Sequence, residues 1–303
     1  MSTCLSVFVR NDDAPGLAFV GMCSGAAANI FLDWLFVFPM QMGVTGAAVA
    51  SGLGQVISVL ILMSHFIRKK GILRIRLRHF SAGMCTEIAK SGVAESVTQL
   101  TTPVTAFCYN IVLAAMIGDI GVTTFSVLSF IYSLANAILS GVAQGLQPLW
   151  GLSKGRNDRD SLRMYLRFGL GFGSMLAAVI FVILCLFDTQ TIRIFNSDTE
   201  LVEMASSVLP VFAASFIPMA VNLVITAYLY SVRKNLYADI IALSRGVFVK
   251  AVAIFLLPQI AGAGTVWGAP LAAELITLIV AILFLQRESC LKNFKSLTGG
   301  KTL

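Results

Sequence analysis

The feature that most limits what this chain can fold into is a series of long segments that are apolar on every face. They run over approximately 16–38, 44–67, 90–117, 122–149, 164–187, 203–231, 237–259 and 266–286. A helix in a soluble core needs only one apolar stripe. Helices that are apolar all round and about 20 residues long match a hydrocarbon layer about 30 Å thick. With 57% hydrophobic and 12% charged residues and a mean hydropathy of +0.85, the chain lies outside the usual range for soluble domains. It reads as an all-α, polytopic membrane protein with eight transmembrane helices.

The connectors between these segments alternate in charge. Basic residues crowd the second, fourth and sixth connectors and the C-terminal tail, from Arg68, Lys69 and Lys70 through Lys154, Arg156 and Arg159 to Arg233, Lys234 and Arg287. On the other side Arg193 stands alone among the 22 basic residues. Such asymmetry orients a membrane protein with its basic loops inside, so both termini are expected in the cytoplasm of a cell whose plasma membrane the chain crosses. The net charge of +7 is therefore topological and does not point to nucleic acid. The six cysteines have no C-x-x-C spacing and are expected to be free thiols.

Residues 1–9 hold only a short apolar run, followed by Arg10, Asp12 and Asp13. This fits neither a signal peptide nor a full span; it reads as the last turns of a preceding helix, with sequence expected upstream. Internal repetition agrees. "FPMQMGVTGAAVASGLGQ" and "LPQIAGAGTVWGAPLAAE" share a proline, a glycine-rich turn and a small-residue helix start. A repeat in the same orientation implies two lobes related by an axis along the membrane normal. Residues 1–67 then supply the last two helices of an N-terminal lobe with the tail of the one before, and 68–89 a basic cytoplasmic inter-lobe loop. Residues 90–286 supply a six-helix C-terminal lobe, and 287–303 a cytoplasmic tail. Four N-terminal helices, needed for a complete transporter, are expected to be missing.

Several polar residues stand inside the apolar segments. Asn29 and Asp33 are spaced i, i+4 and share a helix face. At 1.5 Å per residue, Asp33 lies roughly 9 Å from the outer end of its helix near Pro39, and Ser51 roughly 10 Å into the next helix from the same side. Hard oxygen donors at one depth suit an alkali cation or a proton-exchanging carboxylate, and an intramembrane ionisable group is a functional candidate by default. Glu274 and Lys250, roughly 10 and 12 Å deep, are placed to pair with each other; a structural pairing and a coupling role for Glu274 both stand. Glu95, with Gln99 one turn later, lies near the cytoplasmic end of its helix as a further coupling candidate, and Arg245 is placed either to partner it or to face an aqueous cavity. Gln99, Gln144, Gln147, Asn222 and Lys250 are candidates for a polar path or gate, and Pro210 and Pro218 are expected to bend their helix. The G-x-x-x-G pairs Gly21/Gly25, Gly141/Gly145 and Gly169/Gly173 are read as helix packing.

"NIFLDWLFVFPMQMGVTGAAVASGLGQ", "SGVAESVTQL" and "GVAQGLQPLWGLSKGRND" resemble the fifth to eighth helices of the multidrug and toxic compound extrusion (MATE) transporters. That resemblance implies a twelve-helix, two-lobe antiporter working by alternating access. It would export small amphipathic or cationic compounds against sodium ions or protons, with no cofactor beyond the coupling ion. It also implies that Asn29, Asp33 and Ser51 belong to a cation site in the N-terminal lobe, completed by a first-helix aspartate that this chain lacks. The resemblance also implies a second cation pair, of which Glu95 matches one member; the helix carrying Asn222 has no central acid to match the other.

An intramembrane enzyme is not expected. His65 and His79 flank a basic loop, and the sequence has no H-E-x-x-H or G-x-S-x-G. The alternatives within reach are a flippase for lipid-linked saccharides or cell-wall precursors, with Arg245 and Lys250 as its only central cations, and an inactive fragment.

Overall fold

Proline and glycine set the helix boundaries in the computed structural model, which describes residues 1–68, 71 and 82–297. Pro15 occupies the first turn of a helix, where its missing N–H costs no hydrogen bond, and that helix ends at Val37, just before Pro39. Gln41 and Gly43 then take positive φ, and the next helix starts at Gly43. The chain divides into two compact units, Met1–Cys85 and Thr86–Leu303. Among the described residues every regular element is helical.

The first unit holds α1 (Ser2–Asn11), α2 (Pro15–Val37) and α3 (Gly43–Ile67). Close approaches pair Gly21 with Leu62, Gly25 with Ser58, Asn29 with Gly54 and Phe36 with Gly46. One number rises as the other falls, so α2 and α3 form an antiparallel hairpin. The helix pair is close because glycine removes the Cβ at the contact: a Cβ on Gly25 would lie 2.6 Å from the Gly54 carbonyl oxygen. α1 joins them through a cluster of Val9, Ala18 and Leu62 and through a 2.9 Å contact between buried Asp12 and His65.

The second unit holds α4 (Ala82–Met116) from Thr86 onward, α5 (Asp119–Gly155), α6 (Arg159–Leu186), α7 (Asp188–Arg193), α8 (Thr199–Ala214), α9 (Phe216–Ser231), α10 (Asn235–Leu243), α11 (Val249–Ala261) and α12 (Ala269–Leu297). A π-helical turn, Ser244–Phe248, links α10 to α11, and a 3₁₀ turn, Ala263–Gly268, precedes α12. Asp158 caps α6; hydrogen bonds from the Ser161 side chain and backbone hold its carboxyl below the usual carboxylate range. The apolar stretch of α8 and α9 is 61% buried against 22–33% for the other long spans of this unit, which makes it the central pair. Its core residues include Leu209, Phe216, Met219 and Ile225. Phe130, Phe168, Leu275 and Ile279 point outward, while Asn222, Glu274 and Thr277 are fully buried. Apolar outside and polar inside is the arrangement that lipid requires.

Seven helices among the described residues are long and apolar enough to cross a membrane; the span expected at 90–117 falls in α4, where the side chains of 90–99 lie outside the described residues and the described apolar stretch is Thr102–Met116. Two expectations change. The span expected at 203–231 is interrupted at Ser215, between Pro210 and Pro218. Pro218 offers no N–H to the Ala214 carbonyl, and the break falls next to it. Gly141 and Gly145 do not mark a packed interface, since a Cβ on either would meet nothing within 4 Å.

Candidate functional site

A stripe of polar residues on α5, Ser129, Tyr132, Ser133, Asn136 and Ser140, recurs at helical spacing and lines a cavity of about 400 Å³ inside the second unit. Arg245 from the π turn and Lys250 from α11 line it too. A π turn inserts one residue into a helix and often sits at functional sites; here it sets Arg245 at the cavity wall.

Behind the wall lies a buried polar network. The Arg245 Nε donates to Glu274 Oε1 at 2.8 Å, and its Nη2 donates to Asn136 Oδ1 at 3.2 Å. Asn222 Nδ2 donates to Glu274 Oε2 at 2.8 Å and to the Glu274 backbone carbonyl at 2.9 Å. The Glu274 side chain is fully buried and that of Arg245 is 16% exposed. Both carboxylate oxygens thus have charge-assisted or amide partners, the condition under which a charge survives in a low-dielectric interior.

Lys250 is not the partner of Glu274, contrary to the depth argument. Its Nζ donates to the Tyr132 hydroxyl at 3.3 Å and stands 4.9 Å from the Tyr132 ring centroid. Residue counting along a straight α-helix favoured Lys250; the π turn at 244–248 changes both the rise and the facing of the two cations. Tyr132 and Asn136 were missed, and the α5 polar stripe was the signal for them.

In the first unit the Asn29 Nδ2 and Ser51 Oγ are 3.5 Å apart, a contact at the outer limit of a hydrogen bond. Asp33, one turn further along α2, has a buried Oδ1 with no donor among the described residues. The structure therefore brings Asn29 and Ser51 together and leaves a carboxylate oxygen unmatched on the same helix face. That donor set fits a hard cation or a proton. Gln144 is exposed and Gln147 half-buried, and neither lines the cavity. The Glu95 and Gln99 side chains lie outside the described residues.

A family model described as MatE matches residues 96–256, just over half of the chain. The chain belongs to the MatE family. Among curated relatives, the multidrug export protein MepA of Staphylococcus saprophyticus is 26% identical over 282 residues, 92% of this chain and 62% of that protein. MepA of Staphylococcus aureus (strain NCTC 8325 / PS 47) is 24% identical over 304 aligned residues, 98% and 66%. This MatE chain thus spans just under two thirds of the length of these relatives. Its fold matches that of a MATE in the straight conformation with a TM-score of 0.86 at 20% identity, covering 95% of this chain and 66% of the other. A multidrug resistance MATE family transporter in an outward-facing conformation gives 0.85 at 22%, covering 93% and 64%. MatE proteins are membrane transporters, and no enzymatic chemistry is read from this site.

Proposed function

We propose that this chain acts within a secondary active antiporter that exports organic cations and other amphipathic compounds in exchange for sodium ions or protons. The reading places it in the plasma membrane with both termini in the cytoplasm, as its basic connectors favour. MatE membership and the multidrug export activity in the names of its MepA relatives support export.

The observation that carries the coupling step is the unmatched Oδ1 of Asp33. A buried carboxylate oxygen without a donor is costly unless a cation or proton meets it. Asn29, one turn away on α2, and Ser51 of α3 beside Asn29 supply further oxygens, and occupancy by an ion would remove the charge that otherwise resists burial. The same ion cannot leave without restoring that charge, which ties its passage to a change in the surrounding helices.

Ethidium efflux from cells lacking their own pumps tests this reading. Expressed together with the four N-terminal helices that a complete transporter needs, the chain should speed efflux when an inward sodium or proton gradient is imposed, and Asp33→Asn should bring it down by about tenfold or more, to vector level, with membrane insertion unchanged. Coupled efflux that persists undiminished in Asp33→Asn would remove the site; no gradient-driven efflux from that full-length parent would remove the export reading.

A further inference from the structure

The cavity of the second unit carries a charge imbalance. Arg245 is neutralised by Glu274, whose two carboxylate oxygens are taken by Arg245 and Asn222. Lys250 is only 7% exposed, and its partners are a phenol hydroxyl and the face of the same ring. Neither supplies a negative charge. Among the described residues the cavity lining contains two cationic side chains and no carboxylate. A buried ammonium without a counter-charge is unfavourable, and a ligand that brings one gains what the protein lacks. The remaining wall combines hydroxyls, such as Ser129 and Ser133, with the apolar faces of Phe125 and Phe212. At about 400 Å³ the space is that of a small-molecule site, mostly apolar with a few convergent polar groups.

We propose that this cavity binds an amphipathic monoanion, a carboxylate or phosphate ester. Its head sits against the Lys250 ammonium and the α5 hydroxyls, and its apolar body lies on Phe125 and Phe212. The site is independent of the export reading and of Asp33, because it is defined by binding within the second unit and is measured without flux.

The test uses the whole chain in phosphatidylcholine nanodiscs and equilibrium dialysis of 2-naphthoate and 2-naphthylmethylammonium, corrected with empty discs. Naphthoate should bind at least about tenfold more tightly than the ammonium analogue. Lys250→Met should weaken naphthoate by about tenfold or more, and Lys250→Arg should retain it. Repeating the measurement in phosphatidylglycerol discs separates the sources of the anion. Lys250-dependent loss of naphthoate there identifies a lipid headgroup as the occupant, and unchanged binding identifies a soluble anion. Equal or tighter binding of the ammonium, or naphthoate affinity unmoved by Lys250→Met, overturns the proposal. Should Lys250→Met fail to fold, the comparison of the two probes on the unmodified chain decides.

Discussion

Replacing Glu274 with glutamine is expected to destabilise the second unit by about 3–5 kcal/mol, the usual consequence of removing one member of a buried ion pair. Arg245 would keep its charge with only neutral partners, Asn136 and Tyr132, where it now has a carboxylate at 2.8 Å. Arg245→Met should be costly for the mirror reason, since Glu274 is fully buried. The double variant should recover most of the loss, because neither charge then remains to be solvated. Thermal unfolding of the purified protein, followed by loss of the monodisperse peak, measures all four states. Additive losses would show that the two side chains do not share one network. A second readout separates fold from function: Lys250→Met touches neither member of the pair and removes a buried ammonium that has no counter-charge, so the unfolding midpoint should stay at or above that of the parent.

What the sequence disclosed and what it concealed divide along physical lines. All-round hydrophobicity is a property of composition over a window, so the spans of α2, α3, α5 and α6 were legible without any structure. The meeting of Asn29 with Ser51 was legible too, because α2 and α3 are regular helices joined by a short turn at Pro39 and Gly43. Depth counting failed for Lys250, since a π turn leaves no mark in apolar periodicity and shifts every residue beyond it. The interruption at Ser215 was half visible: two prolines announced a bend, but only packing decides which residue between them leaves the helix. The Asp12 and His65 contact was hidden because it joins positions 53 apart in the chain, with no local pattern linking them. Glycine spacing gave one motif in three places, and the neighbouring helices made it an interface in some and open surface in another.

That contrast makes the second large expected effect. Gly25→Ala would place a Cβ 1.8 Å from the Ser58 Oγ and 2.6 Å from the Gly54 carbonyl oxygen. Ser58 is a side chain that can change rotamer, but the Gly54 carbonyl belongs to the backbone of α3, so the two helices must separate. Overpacking of this kind typically costs about 1–3 kcal/mol. The separation also lengthens the Asn29 to Ser51 contact, already at 3.5 Å, so gradient-driven efflux should fall together with stability. Gly141→Ala and Gly145→Ala alter the same sequence motif and should do neither. Their added methyl groups meet nothing within 4 Å, and alanine is the better helix former by up to about 1 kcal/mol. Combining Gly25→Ala with Ser58→Gly removes the side-chain clash and leaves the backbone one, so it should restore only part of the loss. Full recovery in that double variant would mean that Ser58, and not the close approach of the α3 backbone, sets the spacing of the hairpin that holds Asn29 beside Ser51.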